Sequence, residues 1–270
     1  MDQSARSQEL QTAIAAARLA GDAIRRLEVA SLIKHEKIVD RQKMGLVTQA
    51  DLVAEQVILE QIESTFPDHL ILSEETRHSI EIGNNLWVID PLDGTNNFAH
   101  GIPHYSVSIA FCRNGQPECG VVLNAATGDL YFAQRGAGAW RGERAIRVNA
   151  EPALDQTIVG TGFYYDRGAM MRSTLRSIQE LFERGLQGIR RFGSAALDLT
   201  CVASGQFGGY FEYQLSPWDF AAGKLIVEEA GGKVTDCFGN ELGLSTTTLL
   251  ASNALLHDLL LETTRQGARF

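Results

Sequence analysis

The chain has 270 residues, 44% of them apolar and 21% charged, with a formal net charge of −9. A chain of this length buries a core without disulfide or metal staples. The acid excess argues against a nucleic-acid binder, which would show a basic face, but does not exclude an anionic substrate, because bound cations invert the field of an acidic pocket.

The N-terminal MDQSARSQEL carries acids and no apolar run, and no stretch approaches the roughly 20 apolar residues of a membrane span, so a soluble cytoplasmic protein is expected. Residues 7–30 place Leu10, Ile14, Ala17, Gly21 and Ile24 at helical spacing and predict an amphipathic helix ending near VASL. The polar stretch 35–45, HEKIVDRQKMG, reads as a mobile segment. Residues 51–65 are helical again, and Phe66-Pro67-Asp68-His69 stops them. HLILSEE is a short strand with an acidic end. From Trp87 to about Val148 the runs WVID, YSVSIAFC, CGVVLNA and DLYFAQ alternate with the turns NGQ, ATGD and RGAG, which predicts an antiparallel meander.

The second half alternates strand and helix. TIVGTGF is strand-like, 171–185 helical, IRRFG a strand or turn, and 194–205 a helix closed by Gly205. GYFEYQ is a strand, 219–232 a helix ending at Gly231-Gly232, KVTD a strand, and 251–265 a late helix. This alternation suggests α/β layering. The expected organisation is two halves, 1–148 and 149–270, packed as one body. The four cysteines (Cys112, Cys119, Cys201 and Cys237) show no zinc spacing and are expected to be reduced.

Asp90-Pro91-Leu92-Asp93 stands out. Residues i and i+3 of a regular strand point to opposite faces, so the two carboxylates converge only if the chain turns, and Pro91 favours such a break. Two carboxylates and an outward carbonyl of Leu92 make an all-oxygen set suited to Mg²⁺. Gly94-Thr95 opens DGTNNF, where free N–H groups would seat an anion. The plain alternative is an acidic turn capping a helix. Three other acidic places have equally plain alternatives. Glu74 and Glu75 sit at a strand end, Asp219 of SPWDFAAG could be an N-cap, and Thr48 with Asp51 in LVTQAD could be a capping pair.

Together, LVTQAD, SEE, WVIDPLDGTNNF and PWDFAAGKLIVEEAGG make the chain resemble the inositol monophosphatase family, within the lithium-sensitive, Mg²⁺-dependent phosphatase superfamily, over roughly residues 10–260. The resemblance implies a layered αβαβα sandwich, a mixture of α+β and α/β. It implies that Glu74, Asp90 and the Leu92 carbonyl hold one Mg²⁺ and that Asp90, Asp93 and Asp219 hold a second, with a third near Glu74. Asp51 and Thr95 would orient the attacking water, with Glu74 assisting. Gly94 and Thr95 would contact phosphate, and Asp93 and Asp219 would border the substrate. Gly193, Ser194, Ala195 and Glu212 would contact the hydroxyls of a cyclitol or sugar. Glu75 is not expected to be a direct ligand.

The reaction implied is hydrolysis of a small phosphomonoester, inositol 1-phosphate first, in a homodimer that lithium inhibits. Fructose 1,6-bisphosphate, a nucleotide 3′-phosphate or histidinol phosphate are the alternatives within the superfamily, since fold does not decide substrate. A non-catalytic metal-binding regulatory protein is a third reading, disfavoured because every acid of the pattern is present. His100, His104, Arg190 and Arg191 are rim candidates. So are TGFYYDRG and QFGGYFEYQL, and 35–45 is expected to cover the site.

Overall fold

The computed structural model describes residues 1–27, 34–39, 42–76 and 83–270. Helix α1 (Gln8–Arg25) begins where the Ser7 hydroxyl accepts from the Leu10 N–H at 3.1 Å. It buries Leu10, Ala13, Ile14, Ala17 and Ile24. It ends at Arg25, short of the expected boundary; the VASL segment lies outside the described residues. Within the polar stretch 35–45, β1 (Lys34–Val39) pairs antiparallel with β2 (Gln42–Thr48), which leads into α2 (Gln49–Thr65), and residues 40–41 lie outside the described residues.

The meander is present and longer than expected. Strands β3 (Leu70–Ser73), β4 (Asn85–Asp93), β5 (Ser106–Arg113), β6 (Gln116–Asn124), β7 (Leu130–Gln134), β8 (Ala139–Arg141) and β9 (Arg144–Ile146) lie side by side in chain order. β3 and β4 are parallel, and every later pair is antiparallel. A short helix, α3 (Thr95–Ala99), follows β4.

The second sheet is mixed. Strands β10 (Ile158–Thr161), β11 (Gly188–Arg190), β12 (Gly209–Leu215), β13 (Lys233–Thr235) and β14 (Thr247–Ser252) stand in the order β11-β10-β12-β14-β13. β14 corrects the expected late helix, because Ala251 and Ser252 belong to this strand and the helix, α7 (His257–Gly267), starts six residues later than Ala251. Three further helices are α4 (Ala169–Glu183), α5 (Ala195–Ala203) and α6 (Pro217–Glu229).

These elements form five layers: α1 and α2, the seven-stranded sheet, α5 and α6, the five-stranded sheet, then α4 and α7. Three apolar cores separate them. The middle one joins Leu72, Val88 and Val122 of the first sheet to Leu199 and Ile226 of the helices and Tyr210 and Leu249 of the second sheet. α6 is pressed close to β6, where a Cβ on Gly120 would lie 2.9 Å from the Ala222 backbone. Among the described residues no helix is long and apolar enough to cross a membrane.

Candidate active site

The site lies where the ends of β3, β4 and β12 meet the N-terminal ends of α5 and α6. Asp90 and Asp93 converge by a device other than a turn. β4 continues through Pro91, but Asp90 pairs with Ser108 and Asp93 with Ser106, so three steps on β4 oppose two on β5. This β-bulge puts both aspartates on the face shared by Ser106 and Ser108, the face toward α5 and α6. Pro91, with no N–H to donate, sits within the irregularity, where its loss to the ladder is least costly. Gly94 follows at φ +92°, and a Cβ there would meet the His104 carbonyl at 3.1 Å.

Each aspartate is anchored by one oxygen. Asp90 Oδ1 accepts from the Leu92 N–H at 3.0 Å. Asp93 Oδ2 accepts from the Ser194 hydroxyl at 2.6 Å and the Ala196 N–H at 2.8 Å, tying β4 to the start of α5. Asp219 Oδ2 accepts from the Ser216 N–H at 2.6 Å. Asp219 is therefore not the N-cap of α6. Ser216 is, and Asp219 stands at the third helical position, completing a capping box. The second oxygens of Asp90 and Asp219 have no hydrogen bond among the described residues.

Asp51 combines the capping and site arrangements. Its Oδ2 accepts from the Thr48 N–H and hydroxyl, both at 2.7 Å, while Thr95 Oγ1 is 2.9 Å from its Oδ1 and 3.0 Å from the Leu92 carbonyl oxygen. Burial outweighs these bonds and pushes its carboxyl up to about 6. Burial also pushes Asp93 up to about 6, and Asp90 and Asp219 well above the carboxylate range. The charged groups that dominate at Asp90 after burial are all acids: Glu74, Asp93, Asp219 and Glu75.

Glu74, Asp90, Leu92, Asp93, Gly94, Thr95, Gly193, Ser194, Ala195, Glu212 and Asp219 all line one cavity of about 480 Å³. Asp51 stands behind Thr95. Gly162–Tyr165, Arg167 and Arg191 complete the rim, whereas Arg190, His100 and His104 are not on the wall. Glu212 receives the Tyr210 hydroxyl on Oε2 at 2.6 Å, and burial pushes its carboxyl up to about 7.

Two residues, Glu55 and Asp198, escaped the sequence reading, and a third, Gly162, fell within the rim stretch TGFYYDRG without a role of its own. Glu55 of α2 is buried and accepts from the Ser73 hydroxyl and the Thr76 N–H, bracing the turn that carries Glu74. Its signal was an acid four residues after Asp51 on the apolar helix face. Asp198 of α5 is buried on the cavity wall, and burial, with Asp93 and Glu212 nearby, holds its carboxyl well above the usual range. Gly162 leaves room for Glu212: a Cβ there would lie 1.9 Å from Oε2.

The donors suit a hard cation by chemistry and charge: oxygen atoms only, buried, and dominated by one another's negative field. Among the described residues no three His, Cys, Asp or Glu side chains already stand as a ready ligand group.

Five layers and an acid-lined cavity between two sheets define a layered α/β protein built around a buried cluster of carboxylates. The chain belongs to the inositol monophosphatase family, whose model matches residues 5–269. It is 42% identical over 226 residues to an inositol-1-monophosphatase of Synechocystis sp., covering 83% of this chain and 78% of that one. It is 38% identical over 263 residues to the Nus factor SuhB of Pseudomonas aeruginosa, covering 94% of each. The crystal structure of the extragenic suppressor protein suhB from Bartonella henselae superposes with a TM-score of 0.89 at 35% identity, covering 97% of this chain and 100% of that one.

Proposed function

We propose that the chain is a Mg²⁺-dependent phosphatase of a small phosphorylated cyclitol or sugar, with inositol 1-phosphate as first substrate. The observation that carries this reading is the set of buried, mutually repelling acids sharing a cavity with Thr95, which Asp51 backs, in a chain of this family. Glu74, Asp90, the Leu92 carbonyl, Asp93 and Asp219 would hold two or three Mg²⁺. Bound there, Mg²⁺ would supply charge neutralisation of the phosphoryl group and activation of water.

The chain's own residues do the rest. Asp51 accepts from the Thr95 hydroxyl, which fixes that oxygen as an acceptor toward an attacking water. Glu74 stands on the same wall to help hold that water. The N–H groups of Gly94 and Thr95 face the phosphate. Glu212 takes a hydroxyl of the leaving group through the oxygen that Tyr210 does not occupy. The Ser194 hydroxyl donates to Asp93 Oδ2, so it also positions that acid. Positioning and charge stabilisation supply most of the acceleration in such a reaction.

Two observations support other readings. Arg167 and Arg191 on the cavity wall would suit a second phosphate, as in fructose 1,6-bisphosphate. The name of the Pseudomonas relative supports a Nus-factor role, with or without catalysis. The test is kcat/KM with saturating Mg²⁺ on inositol 1-phosphate, fructose 1,6-bisphosphate, adenosine 3′,5′-bisphosphate and histidinol phosphate. Preference for inositol 1-phosphate is expected. Preference for a bisphosphate keeps the chemistry and moves the substrate, and turnover of none overturns the phosphatase reading.

A further inference from the structure

Three buried side-chain polar atoms lack a hydrogen-bond partner among the described residues: Arg6 Nε, His104 Nε2 and Asp198 Oδ1. Only Asp198 is on the wall of the cavity. Its residue is 1% exposed, so bulk water does not satisfy the oxygen. A buried acceptor with no partner is costly, and native structures keep one chiefly where a ligand or an ordered water completes it.

Asp198 belongs to the first turn of α5, and its charged neighbours are Asp93 first, then Glu212 and Arg191. The same Arg191 acts on Glu212. Asp90 and Asp219 each have an oxygen anchored by a backbone N–H, and Glu212 has one taken by Tyr210. Asp198 Oδ1 has no such anchor. Asp198 Oδ1 is thus an acceptor without a partner among the described residues, on a residue that lines the cavity.

Resting on the phosphatase reading above, we propose that Asp198 is a specificity-determining residue: Oδ1 accepts a hydrogen bond from a hydroxyl of the leaving group, beside the one taken by Glu212. The substrate class is then a phosphorylated polyol presenting at least two hydroxyls away from its ester. Esters without such hydroxyls leave the acceptor unmet. A site built to bond a substrate hydroxyl rejects analogues lacking it strongly, because the buried partner is left bare.

The experiment compares wild type, Asp198→Ala and Asp198→Asn with Mg²⁺ on inositol 1-phosphate, its single-deoxy analogues and p-nitrophenyl phosphate, alongside thermal unfolding. In wild type, one deoxy position beyond any that Glu212→Gln also silences should cost about tenfold in kcat/KM, with KM carrying most of it. In Asp198→Ala that same deletion should cost almost nothing, and Asp198→Asn, which keeps a carbonyl acceptor, should restore part of the discrimination. Asp198→Asn also stands in if the alanine variant does not fold. If every deoxy analogue and p-nitrophenyl phosphate fall by one common factor in the variants, Asp198 is a structural acid satisfied by water and the assignment is overturned. A wild type that hydrolyses none of these esters overturns the phosphatase reading itself, and the assignment with it.

Discussion

Single atoms decide how the candidate site is held. A Cβ on Gly162 would sit 1.9 Å from Glu212 Oε2 and 2.3 Å from its Cδ, so the carboxyl must shift and break its bond from the Tyr210 hydroxyl. Gly162→Ala should therefore displace Glu212 and lower kcat/KM for inositol 1-phosphate by about tenfold or more, since small misplacements at a reacting site are costly. An unchanged kcat/KM would show that Glu212 does not hold the leaving group. Asp90→Asn probes the acids themselves. If Asp90 bridges two cations, the lost charge should abolish turnover while leaving Tm near wild type, and retention of more than about a tenth of kcat at saturating Mg²⁺ would sink the two-cation arrangement. Asp90, Asp93, Asp219 and Glu212 were legible because they stand in motifs with distinctive neighbours. Asp198 and Glu55 were not: Asp198 stands in the apolar run SAALDLTCVASG with no motif around it, and Glu55 is one of several acids along α2.

At the scale of elements, the sequence singled out Asp90 and Asp93 as acids that a turn would bring together, and the structure does this by a bulge instead. A bulge leaves no turn signature, because β4 keeps its apolar strand pattern on both sides of Pro91. β14 was missed for a related reason. Only four residues, 253–256, separate the strand of TTTLLAS from the following helix, and Ala251 matches the helical spacing of the residues after it. The structure places the break at Asn253, whose Oδ1 accepts from the Leu256 N–H at 3.0 Å.

His257 then pins α7 to the sheet. Its Nδ1 is 2.9 Å from the Ser252 hydroxyl and its Nε2 is 3.0 Å from that of Thr235, which itself donates to the Asp236 carbonyl. Nε2 therefore carries the proton and Nδ1 accepts, an arrangement that only the neutral ring satisfies. Burial, aided by Lys233, pushes His257 down to about 4. The unfolded chain, at about 6.5, binds this proton first, so stability falls as pH drops from about 6.5 to about 4 and the contribution is flat beyond both limits. The wild type should lose on the order of 2 kcal/mol across that window from this group. His257→Gln should be less stable at neutral pH but show a smaller Tm drop between pH 7 and pH 4.5; equal drops would remove His257 from the acid response.

The whole molecule raises the question of whether residues 1–148 and 149–270 behave as one unit. The second half has its own outer core around Leu181, Phe211 and Leu260, and the first has one around Leu10, Ile58 and Trp87. Neither half closes the middle core alone. Ala196, Leu199, Phe220, Ala222 and Ile226, on helices that belong to the second half in sequence, are buried against Val88, Ala110 and Val122 of the first sheet. Exposing that layer would uncover several large apolar side chains, each worth roughly 1.5–3 kcal/mol when buried, more than a marginally stable half could lose and remain folded. The Asp93 bonds to Ser194 and Ala196 cross the same boundary, so separating the halves would also open the candidate site.

We therefore propose that the halves unfold together. Calorimetry should give one transition whose van't Hoff and calorimetric enthalpies agree, with activity lost at the same midpoint. Two transitions, or activity lost well before the main one, would mean that the middle layer opens while the outer cores persist. The Asp93 bridge makes that alternative specific: Ser194→Ala should then widen the gap between the two transitions, whereas in a single cooperative body it lowers one common midpoint.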